Sequence, residues 1–345
     1  MQLSEAQTPA ILVLADGVAV PGVLAARIVE SAYSAADRAL VTFALNAAPA
    51  GYWNGWMASR LEVRIGIDGG WNSLFLGVVD LIEFDLTGGT VEIEGRDLTA
   101  LLIDYLVEES YPNLTASDIA SQLAANVGLA AQVTSTTVLV GRYWNSEWSR
   151  AALGNYGKAR SGWDLLIWLA AEEEYDVYVS GTKLYFGPST LNSADAVALS
   201  PSDCVTLKLE RSLRLAGDIE ITVRSWNSRT KLGYSPTASV PGAGTAVWRK
   251  VFVRPNLQIA DAEQLALREA SVLSSHERVV TACIPGEFAI GARDQLALSG
   301  TGLDFDQNYV VDEVERVLDS DNGFVEHLRA RAASTGRQAA IAGNG

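Results

Sequence analysis

Histidine, cysteine and methionine are scarce in this chain, each occurring only twice in 345 residues. With His276 and His327 as the only imidazoles, general-base and zinc chemistry have little to draw on. His276 falls at the predicted end of a helix and His327 inside a predicted strand, places where an imidazole is more often a surface or packing residue than a ligand. Cys204 and Cys283 lie far apart in sequence and match neither a disulfide framework nor a metal knuckle, so both read as small core residues. There is no G-x-x-x-x-G-K-[ST] phosphate loop and no G-x-S-x-G nucleophile elbow. No apolar run reaches the roughly 20 residues that span a bilayer, and no basic cluster precedes an apolar stretch at the N-terminus. The expectation is a chain made and kept in the cytosol, without stable membrane insertion.

Positive charge is also short. Lys and Arg number 26 against 41 Asp and Glu, a formal net charge of -15. A surface this acidic repels phosphate and disfavours tight nucleic-acid binding. Carboxylates are plentiful, and Glu172-Glu173-Glu174 and Glu108-Glu109 are the candidates for a hydrolytic pair. Neighbours on a helix point in different directions, however, and charge runs at helix ends are usually solvated. Asp304-Phe305-Asp306 starts like a calcium loop but lacks that motif's glycine and terminal glutamate. These readings predict no enzyme: no catalytic residue, no cofactor and no metal.

Alternation at period two dominates the first hundred residues. Leu61, Val63, Ile65 and Ile67 alternate with polar or small residues, Val41, Phe43 and Leu45 repeat the pattern, and further strands are predicted over 75–84 and 91–94. After Gly95 helical signals appear. Thr115-Ala116-Ser117-Asp118 has the spacing of a capping box, with Ile119, Leu123 and Val127 one turn apart and Gly128 placed as a stop. A second helix opens at Ser161-Gly162-Trp163-Asp164 with Leu165, Trp168 and Leu169 on one face, and a hairpin follows around Ser180-Gly181. Strand patterns return at 205–209 and 219–223. Residues 233–245 read as a long exposed loop, and Asp261 as the cap of a helix over 261–273. Strands are then predicted at 278–284, 294–298, 309–318 and 324–330. The boundaries that follow are a first β-domain over 1–100, an α/β insert over 101–195, a second β-domain over 196–331 and a flexible tail over 332–345.

Two aromatic clusters fall in loops: Tyr52, Trp53 and Trp56 beside Met57, and Tyr143 and Trp144 with Trp148. Such side chains are either pinned under a local core or act as anchors in an interface. As interface candidates they are joined by Asp261, Leu265 and Arg268 on the predicted helix.

Three segments carry a family resemblance. Val91-Glu92-Ile93-Glu94-Gly95-Arg96-Asp97-Leu98, followed by Thr99-Ala100-Leu101-Leu102, resembles the junction after the first tube-like domain of phage hub proteins of the late control protein D family. Val223-Arg224-Ser225-Trp226-Asn227 is similar to an element of their second tube-like domain. Tyr309-Val310-Val311-Asp312-Glu313-Val314-Glu315-Arg316 with Asp321-Asn322-Gly323-Phe324-Val325-Glu326-His327-Leu328 looks like their closing hairpin. The family often has histidine where this chain has Glu315 or Arg316. The similarity runs in order from about Thr8 to Arg331, and nothing after it resembles a needle or lysozyme domain.

The resemblance implies a mainly β fold with an α+β insert: two tail-tube-like β-barrel or sandwich domains plus a small α/β domain. It implies a homotrimer whose six similar units form a ring between a hexameric tail tube and a trimeric spike. The implied partners are the tail tube or distal tail protein, a separate central spike protein and the tape-measure protein, with DNA only in transit through the lumen. The implied location is the virion tail tip, after assembly in the host cytoplasm. A tail-associated cell-wall hydrolase and a receptor- or carbohydrate-binding tail module are the competing readings.

Overall fold

The computed structural model describes residues 9–67, 70–108, 111, 113–140, 161–189, 196–227, 231–244, 246–286, 290–334 and 336–341. The chain is mainly β and divides into two units: Met1–Leu191 with Pro285–Ala292 and Glu313–His327, and Asn192–Ile284 with Arg293–Asp312 and Leu328–Gly345.

The first unit is built on strands β1 (Ala10–Ala15), β2 (Val18–Ala19), β3 (Val23–Ser31), β4 (Arg38–Ala44), β5 (Arg60–Ile67), β6 (Gly70–Asp85) and β7 (Thr90–Asp97). They pair antiparallel in the order β3-β4-β7-β6-β5-β1-β2. The alternation read from sequence sets the faces. Val41, Phe43, Leu61, Val63, Val91 and Ile93 are completely buried in one core, while the intervening Thr42, Glu62, Arg64 and Glu92 point the other way.

The same unit contains helices α1 (Thr99–Asp104), α2 (Ala116–Asn126) and α3 (Gly162–Glu173) and strands β8 (Ala130–Val133), β9 (Asp176–Ser180) and β10 (Lys183–Gly187). Both capping boxes form. Thr115 Oγ1 accepts from Asp118 N at 3.2 Å while the Asp118 carboxylate accepts from Thr115 N, and Ser161 and Asp164 repeat the exchange. A separate core of Ile119, Leu123, Leu165, Leu169, Leu184 and Phe186 holds the helices against the three strands. Between β9 and β10 the hairpin is antiparallel as its turn predicts, but β8 joins β10 in parallel.

In the second unit β12 (Thr206–Arg211) pairs β17 (Arg278–Pro285), and β11 (Val197–Leu199) pairs β18 (Gln295–Leu298). A second sheet centres on β13 (Asp218–Asn227), flanked by β14 (Leu232–Tyr234) and β15 (Thr237–Val240) on one side and by β16 (Val247–Val253), in parallel, on the other. Helix α4 (Ile259–Ser275) covers it. Ala262, Ala266 and Ala270, four residues apart and fully buried, let the helix lie close over Ile219, Ile221, Val223, Ala238 and Val240.

Several expectations are corrected. Over its described residues, 233–244, the predicted loop is not one exposed loop, because β14 and β15 occupy part of it and Ala238 and Val240 are buried. The glycines there serve close approach: a side chain at Gly242 would meet the backbone of Gly217 at 2.1 Å. Asp261 is not the cap of α4, which begins two residues earlier at Ile259 with Gln258 as its cap, leaving Asp261 in the first turn. The tail is not frayed over its described residues. Arg337 donates to Leu215 O at 2.8 Å and to buried Glu277 at 2.7 Å, and β21 (Ala340–Ile341) adds a short edge to β15.

The remaining strands, β19 (Asn308–Asp319) and β20 (Gly323–Ala332), form the closing hairpin. The boundary of the two units falls inside both, after Asp312 and after His327, so the hairpin is shared rather than belonging to the second β-region alone. In the first unit β19 pairs β3, with Glu315 opposite Val29 and Arg316 opposite Ile28. Arg316, 3% exposed, donates to the fully buried Glu326 at 2.8 Å and also to Glu30 and to Ile290 O. Replacing Arg316 with Met strands two carboxylates, one wholly buried. The expected loss is about 3–5 kcal/mol, read as a lower urea midpoint, whereas an unchanged midpoint would show the set to be energetically idle.

Candidate functional site

Trp53 is placed by the turn-rich connection between β4 and β5 and is the centre of a ring cluster. Its ring meets Tyr52 at 4.9 Å, Phe43 at 5.7 Å, Trp56 at 5.9 Å and Phe84 at 6.4 Å between centroids. Tyr52, Trp53 and Trp56 are half-buried and pack on the first core, closing one end of it. The adjacent Met57 is 91% exposed, so the cap borders open surface. The Trp53 indole N–H is buried with no acceptor among the described residues.

The helix candidates belong to the second unit. Leu265 packs into the core under α4, and Arg268 lies beside Glu269 at 3.8 Å. Asp261, in the first turn, is half-buried. Tyr143, Trp144 and Trp148 lie outside the described residues.

Groups with chemical potential are engaged in structure. His276 Nδ1 lies 2.9 Å from Val272 O at the end of α4. The Asp304 carboxylate accepts from Arg278 at 2.8 Å and from Arg211 at 3.3 Å, and that of Asp306 accepts from the backbone of Gly300 and Thr301. Thr301 above all, through its hydroxyl and then its N–H, holds the Asp306 carboxyl below the ordinary range. Both carboxylates of the fragment are thus engaged, Asp304 by arginines and Asp306 by a turn. Cys204 and Cys283, distant in sequence, become neighbours where β12 meets β17; both are free thiols, and burial pushes both upward. Among the described residues no group of three His, Cys, Asp or Glu is arranged to hold a metal. No described helix is long and apolar enough to cross a membrane.

What the surface does offer is exposed apolar area. Leu81 and Leu86 stand out on the β6–β7 hairpin, and Trp226, Val251 and Val253 on the outer face of β13 and β16. Sequence reading missed these residues. The signal was available in the apolar positions on both faces of 247–253, which one-sided burial does not require.

No protein-family model and no curated protein sequence matches the chain. Solved structures do. The tail protein from Neisseria meningitidis MC58 superposes with a TM-score of 0.71 at 14% identity, covering 94% of this chain and 97% of that one. The 43 kDa tail protein of prophage MuSo2 from Shewanella oneidensis gives 0.68 at 14% identity, over 94% and 96%. The E. coli c3393 protein, a component of the type VI secretion system described as structurally similar to the T4 tail proteins gp27 and gp5, gives 0.56 at 11% identity, over 94% and 77%. The chain therefore has the fold of these phage-tail and tail-like proteins, in keeping with the resemblance read from its motifs.

Because four rings surround it, Trp53→Ala is expected to remove about 3 kcal/mol or more, measured as a drop in the thermal midpoint. An unchanged midpoint would contradict the core-capping geometry.

Proposed function

We propose that the chain is a structural, non-enzymatic hub subunit of a phage or phage-like tail, a homotrimer whose two β-regions per copy build a pseudo-sixfold ring. In this reading the ring adapts a hexameric tail tube, or a distal tail protein, to a trimeric central spike. The tape-measure protein ends against it and DNA passes through its lumen. The observation that carries the reading is the agreement of fold with tail proteins along nearly the full length of both chains. A shared domain would leave most of one partner uncovered; here the whole arrangement of elements recurs.

The charge balance supports the same role. At a net charge of -15 the chain suits a passage that must not hold DNA, since adhesion to phosphate scales with the number of neutralising cations. The two thiols, raised by burial, suit an assembly intermediate that persists in a reducing cytosol.

Sedimentation velocity on the purified chain is expected to give a species near three times 36.8 kDa, and the same preparation to leave peptidoglycan intact in a zymogram. A monomer at every concentration, or clearing abolished by a single Glu→Gln change, would overturn the reading.

A further inference from the structure

The outer face of the second sheet in the second unit is apolar where solvent would be expected. Across the parallel β13–β16 pair, Thr222 stands opposite Val251 and Arg224 opposite Val253, with Trp226 continuing the same row. Val253 is 73% and Trp226 58% exposed. This patch is rimmed by cations in a chain that is otherwise acidic. Arg249 is held by Glu220 at 2.6 Å, whereas Arg224 and, at the strand's end, Arg254 have no carboxylate within ion-pair reach among the described residues. The free edge of β16 is an unsuitable contact, because Lys250 occupies an inward register position opposite Ile221 and holds its ammonium 4.4 Å over the Phe252 ring. A charge so placed deters strand addition. The face, not the edge, is the open surface.

The β6–β7 hairpin of the first unit has the opposite character. On its outer face Leu81 stands opposite Glu94, and Glu83 stands directly opposite Glu92. Like charges in directly opposed positions destabilise a sheet pair. None of the three glutamates is ion-paired among the described residues; Glu92 has only a long contact from Thr42, at 3.4 Å. Leu86, in the turn, is 78% exposed. An acidic, apolar hairpin and a basic, apolar sheet face thus lie on one polypeptide, each lacking what the other carries.

We infer that the outer face of the β6–β7 hairpin of one copy, through Glu83, Glu92 and Leu81, docks on the β13–β16 face of a second copy, through Arg224, Val251 and Val253. The inference rests on the hub reading and specifies its contact. Two different patches make a heterologous interface, which repeats around an axis and closes into a ring when the rotation allows. Opposed carboxylates gain a guanidinium between them, and the exposed valines and Trp226 lose water. Such pairing also sets the order of copies, since hairpin against hairpin or face against face would bring like charges together.

The test uses the full-length chain and three variants, Glu83→Arg, Arg224→Glu and the double reversal, compared by sedimentation velocity at low salt, with circular dichroism to establish folding. Both altered residues are exposed and bear no core contact, so folded variants are expected. Each single reversal is expected to raise the concentration needed for trimers by about tenfold or more, and the double reversal to return it toward wild type. Single variants that assemble like wild type, or a double variant no better than the singles, would overturn this contact while leaving the hub reading in place. A wild-type chain that never trimerises would overturn both.

Discussion

The guanidinium of Arg316 is the interaction on which the closing hairpin depends. It sits at a core-facing position of β19, next in the alternation to Asp312 and Val314, and is met there by Glu326 from β20 and Glu30 from β3. Asp312, only 1% exposed, is matched in the second unit by Arg331 on β20. A slip of one residue turns every side chain to the other face, and with ions at these positions it also leaves a desolvated charge alone. The division between the two units falls inside both strands, after Asp312 and after His327.

The legible parts of the fold were those whose cause is local. Capping boxes at Thr115 and Ser161 and the alternation around Val41 and Leu61 are decided within a few residues, and each forms where the pattern places it. What escaped was decided at a distance. The parallel partnership of β8 with β10 and the last strand, β21, on β15 bring together segments with no shared local signal. Composition also misled. The glycines and serines of 233–244 suggested loop, although Thr237 to Val240 alternate and bury two side chains, and the alanine stripe of α4 is too weakly apolar to announce a buried face. Among the candidate site residues the aromatic loop was recognisable as a cluster. Its packing on the first core depends on Phe43 and Phe84, which sequence does not bring near.

In the proposed hub role, function follows from arrangement rather than from a reactive centre. Several carboxylates are committed to turns, caps and ion pairs: Asp306 to a turn, Asp118 and Asp164 to helix starts, Glu277 to two arginines. Each lowers the cost of a rigid shape. A hub of the proposed kind would transmit position and load between neighbours, and that requires fixed register and sided surfaces more than it requires chemistry.

Imaging the assembled chain along its axis tests the account most directly. Cryo-electron microscopy averages are predicted to show a closed annulus of three copies with six similar lobes of density around an open lumen. An open chain of copies, a twofold particle, or a disc with no passage would contradict it.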